Sequence, residues 1–185
     1  MHTPELDPRD VVAAAQLGVW DFYPQTGTLV WSPRCREIFG LTPEASVDYG
    51  VFLRAVHIDD RARVSQAVQK ALTAGGDPHI DLEYRGVRAA DGAQRWLWAL
   101  GEASFDAAGV PSRLVGVVVD ITERKQRALQ DRNLTLVADN SADFIAFASP
   151  EGKLLYLNPA GLALVGLDDL AEVQGHEMID LFAPE

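Results

Sequence analysis

Positive charge is scarce in this chain of 185 residues, which has 16 Lys and Arg residues against 27 Asp and Glu residues and a formal net charge of −11. Proteins that bind nucleic acids use a surplus of Lys and Arg to displace counterions from phosphates. The composition therefore argues against a nucleic-acid partner. Anionic membrane surfaces are disfavoured for the same electrostatic reason.

Cysteine and long apolar runs are also in short supply. The single cysteine, Cys35, cannot form an internal disulfide or a metal site built from several cysteines. A signal peptide would have a basic stretch followed by an apolar one. Residues Met1–Asp7 are neither basic nor apolar. The longest apolar candidate, Leu114–Val119, is far shorter than the roughly 20 residues that span a bilayer. We therefore expect a cytoplasmic protein with no membrane segment in this chain.

What the sequence does contain is a pattern that recurs after 126 residues. Segments 21–33 and 147–159 both have an apolar stretch, a turn with Pro and Gly, a second apolar stretch and a Pro that can open a helix. Several matches at one offset and in one order predict two copies of one unit, the second reaching only to the counterpart of Asp59. The matched positions are Pro33 and Pro159, Gly40 and Gly166, Leu41 and Leu167, and Asp59 and Glu185.

The first copy predicts an α+β fold. Two strands joined by a Pro-Gly turn come first, four helical segments follow, and three strands linked by hairpin turns come last. These strands predict one five-stranded antiparallel sheet with the helices packed on one face. Asp59 and Asp60 are interpreted as N-caps of the longest of these helices. The predicted strands are 19–23, 28–31, 79–85, 95–100 and 113–121, and the predicted helices are 33–39, 43–45, 49–55 and 59–74.

Two further helices are predicted at the ends of this copy. Residues Thr122–Val137 are charged and contain no Gly or Pro, and Thr122 can cap them. Leu129 and Leu136 lie seven residues apart and form a thin heptad stripe, which is typical of a linker helix that pairs in a dimer. A short N-terminal helix, Val11–Leu17, is expected to add to that dimer.

These motifs together resemble a PAS domain, of the PAS fold-3 type with a PAC-type end. The most specific motif is Asp120-Ile121-Thr122 between the last strand and the charged helix. The resemblance divides the chain into an N-terminal cap helix (1–17), a PAS domain (18–122), a linker or signalling helix (123–137) and the first half of a second PAS domain (138–185). The other motifs that carry it are Gly18-Val19-Trp20-Asp21, Trp31-Ser32-Pro33, Ile38-Phe39-Gly40-Leu41, Val56-His57-Ile58-Asp59-Asp60-Arg61, Asp91-Gly92, Arg95-Trp96 and, in the second copy, Asn158-Pro159-Ala160.

The resemblance implies a sensory module that lies upstream of an output domain, usually a histidine kinase or a diguanylate cyclase. It implies that Asp120, Ile121 and Thr122 transmit the signal to the helix that carries Leu129 and Leu136. Motifs of those output enzymes do not occur in the sequence, and no nucleophile with its base or set of metal ligands is recognisable. We therefore expect no catalytic residues and no metal site, a second copy of the chain as partner, and a small-molecule ligand as a further possibility.

An aromatic cluster is the candidate ligand pocket. Such a stripe could enclose a small molecule, but it is more often plain core. The alternation also leaves open whether Trp20 or Asp21 points inward. The pocket candidates are Trp20, Phe22, Trp31, Phe39, Tyr84 and Trp98.

The alternative function is that of a flavin- or haem-binding photo- or redox receptor. Flavin photosensors of this family carry a reactive cysteine in a longer motif, of which Cys35-Arg36 is only a fragment. Haem-binding members take an axial His from the long helix, which contains none, while His57 is better placed to shape a helix start and His79 lies on the polar face of its strand. The cofactor is thus unknown, and we expect none.

Overall fold

The computed structural model describes residues 14–169 together with Asp7, Asp10 and Val12. The chain separates into two units, Met1–Lys125 and Gln126–Glu185, which we call the first and the second unit. The predicted N-terminal helix Val11–Leu17 lies partly outside the described residues. The end of the predicted second copy, residues 170–185, lies wholly outside them.

The first unit contains one five-stranded sheet in which every neighbouring pair of strands is antiparallel. The strand order is β2-β1-β5-β4-β3, so the strands from the two ends of the unit meet in the middle of the sheet. The structure confirms the predicted α+β fold with five antiparallel strands. The strands are β1 Gly18–Tyr23, β2 Thr28–Trp31, β3 His79–Val87, β4 Gln94–Phe105 and β5 Pro111–Asp120.

Three helices and a 3-10 turn lie between β2 and β3: α1 Pro33–Phe39, α2 Tyr49–Ala55, the turn Ile58–Asp60 and α3 Arg61–Ala71. Helix α1 begins where the sequence predicts, because Ser32 accepts a hydrogen bond from the Cys35 N–H and Pro33 fits the first turn. It ends at Gly40, whose φ of 68° is left-handed and suits glycine.

Two local predictions in this region were wrong. The predicted helix 43–45 is a turn, in which the Ala45 N–H donates to the Thr42 carbonyl at 3.2 Å. Arg36 Nη1 also donates to the carbonyl groups of Thr42 and Ala45, at 3.4 and 2.6 Å. Asp60 occupies the N-cap position of α3 but makes no capping hydrogen bond. Its carboxylate instead accepts hydrogen bonds from the backbone N–H, Nε and Nη2 of Arg85 at 2.8, 3.0 and 2.9 Å.

The inward face of the sheet packs on the three helices. Trp20 points inward, because Gly101 and its cross-strand partner Gly116 leave room for its indole ring. A Cβ atom on Gly101 would lie 2.5 Å from that ring, so neither position accepts a larger side chain without displacing it. Asp21 points outward and binds Arg113 at 2.9 and 2.8 Å, and this hydrogen bonding holds the pKa of its carboxyl below the usual value.

The second unit is smaller. Helix α4, Thr122–Asp139, begins in the first unit and ends in the second, where it is followed by β6 Ala146–Ala148, β7 Leu154–Leu157 and α5 Pro159–Val165. Strands β6 and β7 pair as an antiparallel hairpin. Leu154 and Leu157 are the buried residues of its core. None of the described helices combines the length and the apolar character needed to cross a bilayer.

Candidate ligand cavity and signalling junction

A cavity of about 60 Å³ lies between the sheet and the helices of the first unit. Strand alternation explains the composition of its wall, because side chains two residues apart on β1 and β2 point to the same side. Trp20 is opposite Trp31 across this pair of strands, and Phe22 is opposite Leu29. Five of the six pocket candidates lie in this wall: Trp20, Phe22, Trp31, Phe39 and Tyr84.

Trp98, the sixth candidate, does not line the cavity. Its neighbours Leu97 and Ala99 are buried on the inward face of β4, so Trp98 points to the other face of the sheet. There its indole N–H donates to the Asp81 carboxylate at 2.7 Å.

Helices supply the part of the wall that strand patterns do not reveal. Tyr49 and Phe52 of α2 and Val64 and Val68 of α3 line the cavity. The Val64–Val68 spacing does predict a buried helical stripe. Only the three-dimensional fold, however, brings Phe52 edge-on to Tyr84, with ring centroids 6.3 Å apart.

Cys35 and Tyr84 bring polar atoms to this apolar wall. Both side chains are buried, and desolvation raises the pKa of the Cys35 thiol and of the Tyr84 phenol well above their ordinary values. The two groups are therefore neutral at physiological pH. Cys35 is thus present as a thiol and lacks the thiolate character of a reactive cysteine.

The predicted signalling residues form a tight junction between the sheet and α4. The Thr122 N–H donates to Asp120 Oδ1 at 2.9 Å, so Asp120 caps the helix start. The Thr122 hydroxyl was expected to cap α4, but it accepts a hydrogen bond from the Trp96 N–H of β4 at 2.9 Å. Ile121 is buried, and its N–H donates to the Trp96 carbonyl at 2.8 Å.

Charged residues strengthen this junction from β3. Glu83 binds Arg124 at 3.0 Å and also forms an ion pair with Lys125. The Lys125 ammonium lies 5.2 Å from the centroid of the Trp96 ring, within the range of a cation–π contact. The first turn of α4 is thus attached to β3, β4 and β5 together.

The two leucines of the heptad stripe are exposed. Leu129 has 59% and Leu136 has 49% of its surface accessible, so both are available for contacts outside the chain. Among the described residues, no three His, Cys, Asp or Glu side chains gather as metal ligands would.

His57 and His79 lie outside the cavity wall. His57 is the N-cap of the 3-10 turn, and its ring accepts from the Asp59 N–H at 3.4 Å, in agreement with the helix-start interpretation. His79 lies at the exposed start of β3 and contacts Asp77 at 2.9 Å.

Comparison with known proteins agrees with this geometry. The profile of the family described as PAS fold matches residues 28–118. The crystal structure of a sensory box histidine kinase/response regulator from Burkholderia thailandensis is 34% identical, covers 70% of this chain and 96% of its own, and superposes with a TM-score of 0.58. The sensor protein FixL of Bradyrhizobium diazoefficiens is 28% identical over 173 residues, which are 91% of this chain and 33% of that protein.

A third relative is a blue-light-activated histidine kinase of Brucella ovis, which is 34% identical over 137 residues. These residues make up 71% of this chain and 26% of that protein. The chain thus spans about a quarter to a third of the length of these curated relatives. On the profile match, the shared fold and the sequence identity, the chain belongs to the PAS domain family and is a sensory module of signal transduction.

Proposed function

We propose that this chain is a non-enzymatic, cytoplasmic sensor that binds a small molecule in its cavity and passes the signal through α4 to an output domain outside this chain. A histidine kinase is the favoured output, since two of the relatives are named as one, and a diguanylate cyclase is the second choice. The observation that carries this proposal is the continuity between cavity and junction. Val118 of β5 lines the cavity, and Asp120 caps α4 two residues later.

A second connection runs along β4. Ala99 lines the cavity, and the same strand holds Trp96, whose N–H and C=O bind Thr122 and Ile121. A ligand that prefers one spacing of β4 and β5 would therefore also select one position of the α4 start. The shift in output is limited by the difference between the ligand affinities of the two arrangements.

Substitution of the junction tests this route. In the full-length protein, Thr122→Val and Asp120→Asn should change the ligand response of the output activity by severalfold while the unfolding transition of the first unit is kept. Thr73→Val is a matched control, because the Thr73 hydroxyl bonds only the nearby Gln69 carbonyl at 2.8 Å. Unaltered output in both junction variants would contradict the route.

A flavin- or haem-binding receptor is the competing function, because one relative is named as blue-light-activated. Cys35-Arg36 is only a fragment of the longer motif that carries the reactive cysteine of flavin photosensors, so the sequence does not support an adduct-forming cysteine here. The absorption spectrum of the purified protein separates the two functions. We expect no band beyond the aromatic region, and a flavin or haem band would replace the small-ligand proposal.

We further propose that a second copy of the chain is the partner of α4. Leu129 and Leu136 are exposed one heptad apart, as in the seam of a coiled coil. Light scattering across micromolar to near-millimolar concentrations should show a dimer that the double variant Leu129→Ala/Leu136→Ala weakens. Leu164→Ala, which removes a still more exposed leucine of α5, should leave the dimer intact. A monomer at every concentration would contradict this assignment.

Residues 138–185, which form part of the second unit, are proposed to be the first half of another PAS domain. Their described part supports this, because Asn158 Oδ1 accepts from the Ile145 and Gly161 N–H groups, each at 3.0 Å. In the first unit Ser32 Oγ accepts from the Val19 and Cys35 N–H groups at 2.9 and 3.2 Å. All three pairs of residues are 126 apart.

Hydrogen exchange tests this assignment. A longer piece of the same protein should protect the amides of Ala146–Ala148 by pairing β6 with a further strand, as β1 pairs with β5 in the first unit. Equal exchange of these amides in the short and the long chain would contradict it.

A further inference from the structure

The first turn of α4 has two positive charges where a helix favours negative ones. Arg124 and Lys125 both lie in this turn, which starts at Thr122. The N-terminal end of the helix dipole is positive, so cations there destabilise a helix and anions stabilise it. Glu123 supplies one anion from the helix itself. The second cation is compensated from another part of the first unit.

Glu83 of β3, an edge strand of the sheet, provides this compensation. Its Oε1 accepts a hydrogen bond from Arg124 Nη2 at 3.0 Å, and its Oε2 forms an ion pair with the Lys125 ammonium. We call these three residues the ionic clamp. The side chains of Glu83 and Lys125 are 34% and 38% exposed, so dissolved ions can reach the contact.

The position of Glu83 also depends on the elements around the cavity. Its neighbours on β3, Leu82 and Tyr84, line the cavity. The Glu83 carbonyl accepts a hydrogen bond from Arg63 Nη2 of α3 at 2.9 Å. Helix α3 and strand β3 therefore fix the carboxylate that holds the start of α4.

We propose that the ionic clamp makes the start of α4 sensitive to ionic strength, so that dissolved salt is a second input to the module beside the cavity. The Debye length falls from about 10 Å at 0.1 M salt to about 3 Å at 1 M, and partly exposed ion pairs weaken accordingly. The proposal rests on the proposed route through α4 and adds a means of regulating it. Glu83 is a positioning residue, because it acts through the helix that it holds.

Two backbone amides report on the clamp. The Lys125 N–H donates to the Ile121 carbonyl at 3.0 Å within the first turn, and the Trp96 N–H donates to the Thr122 hydroxyl at 2.9 Å. NMR-detected hydrogen exchange of the complete 185-residue chain measures the protection factors of both amides in about 0.05 M and about 0.5 M KCl. Higher salt should lower both factors by about two- to fivefold, the effect of partly exposed ion pairs.

Three variants separate charge from packing. Glu83→Gln should lower both protection factors at low salt by a similar factor and should show no further loss at high salt. Glu83→Gln/Arg124→Gln/Lys125→Gln should regain most of the protection, because the uncompensated cations are then gone from the helix start. Glu37→Gln is the matched control and should behave as wild type, since Glu37 pairs with Arg34 on α1 at 3.1 Å.

Protection that does not change with salt in the wild type, or an equal salt response in Glu83→Gln, would overturn the clamp. A triple variant as poorly protected as Glu83→Gln would show that Glu83 acts by packing, which would overturn it as well. The proposed function would survive each of these results. It falls only if Thr122→Val and Asp120→Asn leave the output unchanged.

Discussion

The two units begin with the same local structure and differ in what is built on it. Each has a hairpin, a side-chain cap, a Pro-initiated helix and a left-handed glycine, Gly40 or Gly166. The first unit adds three long strands, which close a cavity and a large core. The described part of the second unit has a core of two buried leucines. The hairpin and the helix are therefore common to both units, whereas the cavity also needs side chains from the distant strands β3 to β5.

The side chains that cap α1 and α5 also differ between the two units. Ser32 accepts two backbone hydrogen bonds. Asn158 is fully buried, accepts two and also donates to the carbonyl groups of Ala138, Ser141 and Asp143 at 2.9, 3.3 and 2.9 Å. One polar side chain thus organises the end of α4, the following loop and the hairpin, where the first unit relies on its core.

The largest effect is expected from Asn158→Ala. It would remove five hydrogen-bonding contacts and leave buried backbone groups without partners, at a cost of about 3 kcal/mol or more in the free energy of unfolding of the second unit. Hydrogen exchange of peptides from residues 140–169 should lose its protection. The four tryptophans all lie in the first unit, so tryptophan fluorescence should show an unchanged transition there.

Ser32→Ala is the matching change in the first unit. Loss of a Ser cap costs about 1 kcal/mol, and the large core should keep this unit folded. If Asn158→Ala were no more damaging than Ser32→Ala, the second unit would depend on its core and not on the asparagine.

The next effect compares two buried leucines, Leu97 in β4 and Leu157 in β7. Leu97→Ala should cost about 3 kcal/mol, because the densely packed surroundings cannot close around the vacated volume. Leu157→Ala should cost about 2 kcal/mol, since its smaller cluster can relax. Urea unfolding followed by fluorescence gives the first value and hydrogen exchange the second. A larger cost for Leu157 would show that the small core is the tighter one.

The sequence was most informative where the determinants are local. The bounds of α1 were predicted, because Ser32, Pro33 and Gly40 are start and stop signals read within one segment. The face of Trp98 could not be predicted, because residues Trp96–Leu100 are all apolar and contain no period-two signal. The aromatic cluster could be identified from composition along the strands. The contribution of Phe52 could not, because only the fold brings it to the cavity.

Asp60 shows that a contact between residues far apart in the sequence cannot be predicted from a local pattern. An Asp before a helix predicts a cap, but Arg85, 25 residues later, takes the carboxylate. Only the pairing of β3 with the helical region brings the two together. The same holds for Thr122, whose hydroxyl finds the N–H of Trp96 across the junction.

Acid titration tests the Asp60 contact. Hydrogen bonds from Arg85 lower the pKa of Asp60 from 3.8 to about 2. Folding therefore favours the ionised carboxylate, and its stabilisation is full above about pH 4 and is lost as the pH falls toward 2. In Asp60→Asn the first unit should lose about 1–2 kcal/mol at pH 7, and the difference from wild type should shrink below pH 4.

Asp59→Asn is the control for that titration. Asp59 is exposed and contacts Arg85 only through Oδ2, which lies 3.4 Å from Nη2. Loss of this ion pair should lower the free energy of unfolding by less than about 0.5 kcal/mol. Fluorescence-detected unfolding between pH 2 and 7 measures both variants. Equal stabilities of the two variants throughout would contradict the assigned ion pair.

The smallest difference is expected between Gly40→Ala and Gly166→Ala. These two glycines end α1 and α5 with φ of 68° and 74°. Each substitution should cost about 1 kcal/mol for placing a Cβ in the left-handed region. A Cβ on Gly40 would also meet the backbone nitrogen of Ala90 at 3.1 Å, whereas one on Gly166 would meet nothing within 4 Å. Gly40→Ala should therefore be the costlier by several tenths of a kcal/mol.

This difference measures how firmly the first unit holds the loop that crosses its helix end. The Ala89 N–H donates to the Phe39 carbonyl at 2.9 Å, so the loop cannot withdraw from a new methyl group without losing that bond. Gly40→Asn and Gly166→Asn serve as controls, because asparagine adopts the left-handed conformation more readily than alanine. Gly166→Asn should recover most of the loss, and Gly40→Asn should not. If asparagine recovered the lost stability equally at Gly40 and Gly166, the loop at Ala89 and Ala90 would have moved away from the new side chain. The two helix ends would then tolerate a Cβ atom at the same cost.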